Sequence, residues 1–439
     1  MSKEVITRFP PSPTGFLHIG RARTALFNYL FAKKNEGKMI FRFEDTDKAR
    51  SKKEFEENMV ECLKWLGISW DNPTIERQGE RTDLYKKYLK KLVDDDKAYI
   101  SKEKVEEGEK AGQENDVVRF RNPNAKIIFT DLIRGEIAFD TEELGDFIIA
   151  RNMDDPLYHL AVVVDDFEMG ITHIIRGDDG ISNTPRQILI QQGIGAPQPI
   201  YAHLPLILAP DKSKLSGRHG AVSVTDYRDM GYLPEALINY LALLGWNPGT
   251  EQEIFLLEEL TREFDLSKVQ KSGAIFNIEK LNWFNKKYIE MMEPEKFQEA
   301  MKPFLPADVP YVTAMKLSQL IKEKISFFAQ IPELLKGELS FVNSVQPYDK
   351  EKLNWKEDKN TKEYLKQIIN ILSGIDEFTK EKIKEAVWPY AEEKGRGNIL
   401  WPMRFALSGM EKSPDPFIIA EIIGKDETLK RLDSAYEAI

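Results

Sequence analysis

The pattern of apolar and polar positions divides the chain into two unlike parts. Val5, Ile6 and Phe9 predict a short buried strand. Leu26, Phe27, Leu30 and Phe31 recur at helical spacing until Gly37, a natural helix stop. Lys38 to Phe43 alternates as a second strand, and Glu54–Leu66 and Thr82–Val93 predict amphipathic helices. The stretch 100–116 is rich in Lys, Glu, Gly and Gln and predicts a solvated helix or loop. Strands are expected at Val117–Phe120, Ile127–Phe129, Glu136–Phe139 and Phe147–Ile149, so that roughly 97–156 forms a small β-rich insertion. The apolar run Tyr158–Asp166 predicts a strand, with a second buried one at Ile171–Ile175. Asn183-Thr-Pro-Arg then opens a helix through Gln192, with Pro185 in its first turn, and His203–Leu208 is a further strand. Past Asp226 the pattern becomes helical, through Pro234–Leu244, Phe264–Phe276 and Ile278–Tyr288. From about 307 onward Lys/Glu-rich amphipathic helices alternate with short breaks, as in a bundle.

Composition narrows the class. A length of 439 residues implies about two to four domains, and 42% hydrophobic with 31% charged residues fits a globular protein. No apolar run approaches the ~20 residues of a membrane span, and Met-Ser-Lys-Glu at the start has no signal-peptide character, so a cytoplasmic location is expected. Cys62 stands alone, which excludes an internal disulfide and a cysteine-based zinc site. A net charge of −10 disfavours nucleic acid as a general partner, although a local basic face is enough for that role.

Candidate chemistry collects at the ends of the expected strands. Between Arg8 and Arg23, prolines and Thr14-Gly15 turn the chain, leaving His18 and Gly20 at the mouth of a helix. Unpaired backbone N–H groups there suit a phosphate, Gly20 lets a flat purine ring approach, and His18 can donate a ring N–H to a phosphoryl oxygen. A capped helix with a surface histidine is the competing reading. Arg8 and Glu44 fall at the ends of two strands joined by a crossover helix. They offer a cation and an anion that match an amino-acid zwitterion, or else a plain surface ion pair. Arg176 ends another strand. The acidic pairs Asp165/Asp166 and Asp178/Asp179 could hold Mg²⁺, but hydrogen bonding and loop capping are favoured. The loop after Leu208 carries Lys212, Lys214, Arg218 and His219 without P-loop spacing; it suits closure over a polyphosphate, or is a solvated basic turn. Lys322 and Lys324, and Arg396 and Arg404 around Trp401-Pro402, are candidate RNA contacts on helices whose faces are otherwise simply solvated.

The order of these motifs is more specific than any one of them. Pro-Ser-Pro-Thr-Gly-Phe-Leu-His-Ile-Gly-Arg-Ala-Arg, Phe-Glu-Asp-Thr-Asp, Tyr-His-Leu-Ala with Val-Asp-Asp and Gly-Ile-Thr-His-Ile-Ile-Arg-Gly, and Lys-Leu-Ser-Gly-Arg-His-Gly follow one another. Together they resemble the bacterial glutamyl-tRNA synthetases, which are class I aminoacyl-tRNA synthetases, over nearly the whole chain. Phe-Asn-Ile-Glu-Lys-Leu-Asn-Trp and Trp-Pro-Met-Arg-Phe-Ala-Leu-Ser-Gly are similar to the same family. The resemblance implies an α/β fold: a Rossmann-like parallel-sheet catalytic domain at 1–96 and 157–228, with an acceptor-end insertion at 97–156. A stem-contact region at 229–306 and an all-α anticodon-binding region at 307–439 would follow. By motif position, Arg8, Ser12, Glu44, Tyr158 and Arg176 would bind glutamate. His18, Gly20, Asp179, Ile207, Lys214 and Ser216 would bind ATP, supplied with Mg²⁺. His18, Gly20, Lys214 and Arg218 would carry catalysis, and Lys324 and Arg404 would meet tRNA. The implied partners are glutamate, ATP and tRNA-Glu, with tRNA-Gln left open, for a monomer that binds neither zinc nor membrane.

Three departures from the family pattern stand out. Gly217 replaces the second lysine of the usual Lys-Leu/Met-Ser-Lys, Val162 stands where the family has Asn, and the short insertion lacks zinc cysteines near Ala98-Tyr-Ile-Ser-Lys. They keep two alternatives in view, a catalytically weak tRNA-binding paralogue and another adenylate-forming or nucleotidyl-transferring enzyme on the same sheet.

Overall fold

The computed structural model describes residues 4–104, 114–216, 222–342, 350–356 and 359–439. The first unit, Met1–Tyr288, begins with β1 (Ile6–Phe9), α1 (Ile19–Lys34), β2 (Lys38–Phe43), α2 (Lys53–Trp65), β3 (Glu76–Arg77) and α3 (Thr82–Asp94). β1, β2 and β3 pair in parallel, with Arg8 beside Ile40 and Phe9 beside Phe41. The return from α1 to β2 is tight because residue 37 is glycine: a Cβ there would lie 2.1 Å from the carbonyl oxygen of Val5.

Next come β4 (Ala98–Lys104), β5 (Glu114–Phe120), β6 (Lys126–Asp131), β7 (Gly135–Asp140), β8 (Phe147–Asn152) and β9 (Asp155–Pro156). The sheet then resumes through α4 (Tyr158–Glu168), β10 (His173–Gly177), α5 (Thr184–Ile194), β11 (Ile200–Leu204) and β12 (Ile207–Leu208). Thr172 joins the two halves. Its N–H donates to Ile6 O at 2.9 Å and its Oγ1 accepts the Ile6 N–H at 2.8 Å. The parallel sets β3-β2-β1 and β10-β11 therefore abut through Thr172 and Ile6, with the order reversing where β1 meets β10. In such a sheet the crevice for ligands opens beyond the carboxyl ends at that reversal.

Four expectations change. Tyr158–Asp166 is helix, not strand. An apolar run buried on all sides reads alike in both, and here Leu160–Val164 pack entirely inside the core until Gly170, at φ +67°, ends the turn. Of the stretch 100–116, residues 100–104 and 114–116 are strand rather than solvated helix or loop, and the rest lies outside the described residues. β4 pairs antiparallel with β5, placing Lys102 opposite Asp116, and the Glu103–Arg119 ion pair at 2.5 Å ties the two strands. The four strands expected within 97–156 divide between two sheets. β4, β5, β8 and β9 form an antiparallel sheet of their own, whereas the β6–β7 hairpin joins the main sheet where Asp131 pairs with Tyr201. Finally, Phe264–Phe276 is not a helix. After α6 (Val224–Asp229), α7 (Pro234–Leu243) and α8 (Leu257–Glu263), the chain turns and forms β13 (Ala274–Ile275) beside β12, with Gly273 pressed against Leu208, before α9 (Ile278–Met291).

The second unit, Ile289–Ile439, contains no strand among its described residues. Its helices are α10 (Pro294–Met301), α11 (Tyr311–Lys324), α12 (Ile331–Lys336), α13 (Thr361–Ser373), α14 (Lys380–Lys394), α15 (Arg396–Ser408), α16 (Pro416–Ile423) and α17 (Lys425–Ala438). Leu365, Ile368, Val387, Ile399, Met403, Ile419 and Leu432 fill its core. No helix of the described chain is long and apolar enough to cross a membrane.

What fixes α4 on the sheet of the first unit is ionic. Arg42 of β2, at 0% side-chain exposure, reaches Asp166 at 2.6 Å, Glu44 at 3.1 Å and Asp165 at 3.8 Å. Arg8 of β1 meets Asp166 at 3.3 Å, and Asp165 also accepts from Arg81, Tyr85 and Gln78 at 2.8–2.9 Å. Burial pushes the Asp166 carboxyl up, but Arg42 and Arg8 outweigh it and hold the group below the ordinary aspartate range. Its contribution to stability is therefore complete above about pH 4 and lost as pH falls through the depressed value. Replacing Asp166 by Ala leaves two buried guanidinium groups short of a partner. It should lower stability by about 3–5 kcal/mol in chemical denaturation near neutral pH. Lys86→Ala, which cuts only the exposed pair with Asp154, should leave the denaturation midpoint in place. Equal midpoints for Asp166→Ala and the unmodified chain would show that the network does not hold α4.

Candidate active site

A cavity of about 850 Å³ opens at the carboxyl ends of β1 and β10. Arg8, Ser12, His18, Gly20, Glu44, Tyr158, Arg176, Asp179, Ile207, Lys214 and Ser216 all line it, so the sheet brings together residues scattered over more than 200 positions of sequence. Arg218 and Gly217 lie outside the described residues. Lys324 and Arg404 belong to the second unit. There Lys324 pairs with Glu338, and Arg404 lies 4.9 Å from the Trp401 ring centroid and donates to Glu411 O at 2.9 Å.

The helix mouth is built by its own cap. His18 Nδ1 accepts the Gly20 N–H at 3.0 Å, an assignment that leaves the ring proton on Nε2, free to donate. Burial, then Arg21 and Lys214, hold the imidazole below its ordinary value, so it is neutral at pH 7. Backbone bonds from Ile19 N to Val222 O and from Val224 N to Leu17 O, each 2.9 Å, pin the segment after the basic loop to this turn. On the other side of the loop, Lys214 lies 3.9 Å from Asp179, both side chains mostly exposed.

The deeper cavity separates charges. Glu44 is buried beside Arg42, and burial, working against Arg42 and Arg8, raises its carboxyl above the ordinary glutamate value. Arg176 is half-buried and meets neutral acceptors alone: His203 Nε2 at 3.1 Å, Gln187 Oε1 at 2.7 Å, Gly180 O at 3.0 Å and Thr184 Oγ1 at 2.8 Å. No carboxylate pairs with it among the described residues. Desolvation accordingly lowers its pKa from the ordinary arginine value. Gly180 makes room for it, since a Cβ there would sit 2.5 Å from Arg176 Nε. Tyr158, at the first turn of α4, exposes its ring to the cavity.

Several contributors had no sequence signal strong enough to single them out. Arg21 lines the cavity and donates to Ser12 O at 2.8 Å. Arg23, buried, donates to the carbonyls of Leu244 and Pro205, and desolvation brings it down to about 10. Thr184, Gln187 and His203 hold Arg176; a histidine closing a buried strand before Pro205 was the one visible hint. Val162 is packed into the core on α4, four residues beyond Tyr158. Asp178 pairs with Arg134, Asp165 and Asp166 are engaged by arginines, and among the described residues no group of three or more His, Cys, Asp or Glu side chains is placed to hold a metal ion. Cys62 is buried, in contact with Thr225 Oγ1 at 3.5 Å.

Comparison with known proteins agrees with this geometry. Residues 4–111 and 100–283 match the family described as tRNA synthetases class I (E and Q), catalytic domain, and residues 296–436 match an anticodon binding domain. The glutamate–tRNA ligase of Thermodesulfovibrio yellowstonii is 39% identical, covering 99% of this chain and 100% of its own. That of Carboxydothermus hydrogenoformans is 40% identical, covering 98% and 99%. Among solved structures, a glutamate tRNA ligase from Elizabethkingia meningosepticum in complex with its amino acid superposes with a TM-score of 0.89 at 34% identity, covering 99% of each chain. With both domains matched and relatives of this identity aligned end to end, the chain belongs to the glutamate–tRNA ligases, a family of class I aminoacyl-tRNA synthetases.

Proposed function

We propose that this chain charges tRNA-Glu with glutamate at the expense of ATP, as a cytoplasmic monomer. The single observation that carries the substrate assignment is Arg176, a cavity-lining cation with neutral partners and, among the described residues, no carboxylate of its own. An anionic side chain entering the cavity supplies the missing charge. Arg8 and Arg176 take the two acidic ends of glutamate, Glu44 takes its ammonium, and Ser12 and Tyr158 complete the contacts. His18, Gly20, Asp179, Ile207, Lys214 and Ser216 receive Mg·ATP.

In the first step the α-carboxylate of glutamate attacks the α-phosphorus and pyrophosphate leaves. In the second, a hydroxyl of the terminal ribose attacks the acyl carbon and AMP leaves. Neither step needs a side-chain nucleophile. The chain works by alignment and by placing donors where negative charge builds: His18 Nε2–H, Lys214, and Arg218, four residues further along the sequence. Lys324 and Arg404 are the proposed RNA contacts of the second unit.

Aminoacylation of purified tRNA-Glu and tRNA-Gln, with glutamate and glutamine offered separately, tests the assignment. Glutamyl-tRNA-Glu should form and glutamine should not be transferred. Folded protein that charges neither tRNA would overturn the proposal in favour of a binding paralogue, and the tRNA-Gln lane decides whether that tRNA is also a substrate. Arg176→Ala should lower kcat/KM for glutamate by about 30-fold to a few thousand-fold, the equivalent of roughly 2–5 kcal/mol. Gly180→Ala, whose Cβ would lie 2.5 Å from Arg176 Nε and so displaces the guanidinium, should lower it by at least about tenfold. Unchanged glutamate kinetics in both variants would remove Arg176 from the substrate site.

A further inference from the structure

Arg176 does not hold itself in place. A guanidinium has five N–H donors, and four are used inside the protein: Nε–H to His203, one Nη1–H to Gln187, and the two of Nη2 to Gly180 O and Thr184 Oγ1. That leaves one Nη1–H for a ligand. The Nε–H bond is informative because it fixes the other partner's protonation. His203 Nε2 accepts from Arg176, so the ring proton lies on Nδ1, where it is donated to Asp131 Oδ2 at 2.7 Å.

Asp131 is held just as firmly. Its Oδ2 also accepts the His203 backbone N–H at 3.0 Å, and its Oδ1 accepts the N–H groups of Ile133 and Arg134 at 2.9 and 2.8 Å. Both side chains of the pair have 0% exposure. Asp131 ends β6, so the chain of bonds starts in the β6–β7 hairpin, crosses β11 at His203 and finishes at the cavity.

We propose that Asp131 and His203 are positioning residues for the glutamate site: the carboxylate sets the imidazole tautomer, and the imidazole aims the Arg176 guanidinium at the substrate's carboxylate. This rests on the glutamate reading given above for Arg176. The neutral ring between the two charges is essential. A carboxylate in direct contact would satisfy Arg176 from within and leave little attraction for a substrate anion. The histidine transmits orientation while keeping the countercharge one ring-width away. Burial, opposed by Asp131, keeps the His203 pKa below its ordinary value, so the ring stays an acceptor toward Arg176 at neutral pH.

Asp131→Asn is the sharpest probe. It preserves shape but presents an N–H to His203 Nδ1, which drives the ring proton to Nε2 and sets it against Arg176 Nε–H. The KM for glutamate in tRNA charging should rise at least about tenfold while the KM for ATP stays within about twofold. His203→Ala should do the same, and His203→Gln, whose amide oxygen can accept from Arg176, should recover part of the loss. A further readout needs no activity. The ¹⁵N shifts of the His203 ring, one of only five histidines, should report a protonated Nδ1 and a bare Nε2 in the unmodified protein and the reverse in Asp131→Asn. The proposal is overturned if the glutamate and ATP constants move together, if neither moves, or if the unmodified ring carries its proton on Nε2. Should the unmodified protein fail to charge glutamate at all, the functional reading fails while the ring shifts still judge the relay.

Discussion

Three arginines and three carboxylates share the dry space between the parallel sheet and α4, and the site takes its shape from how they pair. Arg42, with no exposure, is surrounded by Asp166, Glu44 and Asp165; Arg8 shares Asp166, and Arg81 shares Asp165. Such a network adds little net stability over a well-packed apolar core, because desolvation offsets most of the attraction. Its effect is on geometry. With every charge matched, α4 has one register on the sheet, and that register puts Tyr158 at the cavity. Arg8 is anchored through Nε to Asp166 and through Nη1 to Ile175 O at 3.5 Å, which leaves Nη2 toward the cavity.

The cavity obeys the opposite rule. Among the described residues, Arg176 has only neutral acceptors and Arg21 bonds only a backbone carbonyl. Arg8 and Glu44 reach the wall with their charges matched from behind, and Arg176 and Arg21 line it without a carboxylate in hydrogen-bond contact. That division is what a ligase without a side-chain nucleophile needs: rigid support for groups whose task is to meet charge arriving on a substrate.

Much of this was legible in the chain, for definable reasons. Arg8, Glu44 and Arg176 were recognisable because a parallel sheet gathers its strand ends, and the topology is periodic enough to read. His18 and Gly20 were recognisable because proline and glycine punctuate the helix start. The helix at 158–168 was not, since Leu-Ala-Val-Val-Val buried on every side has no periodicity to distinguish it from a central strand. That the hairpin at 126–140 pairs with β11 could not be read, because the contact is non-local, between positions 131 and 201, and no window of sequence contains it. The same non-locality hid Asp131 and His203, whose meaning lies in their distance from Arg176. Asp165 and Asp166 were visible as an acidic pair, but their partners come from β1, β2 and α3.

Leaving Arg176 without a countercharge has a thermodynamic side. A half-buried cation short of an anion raises the free energy of the empty fold, and on the proposed reading the amino acid that supplies the anion lowers it again. Substrate selection and folding are thus linked by mass action: at a hundredfold excess over its dissociation constant a ligand stabilises the native state by about 2.7 kcal/mol. On the glutamate reading proposed for Arg176, the unliganded enzyme is the less stable form, and free glutamate holds the fold together as well as feeding the reaction.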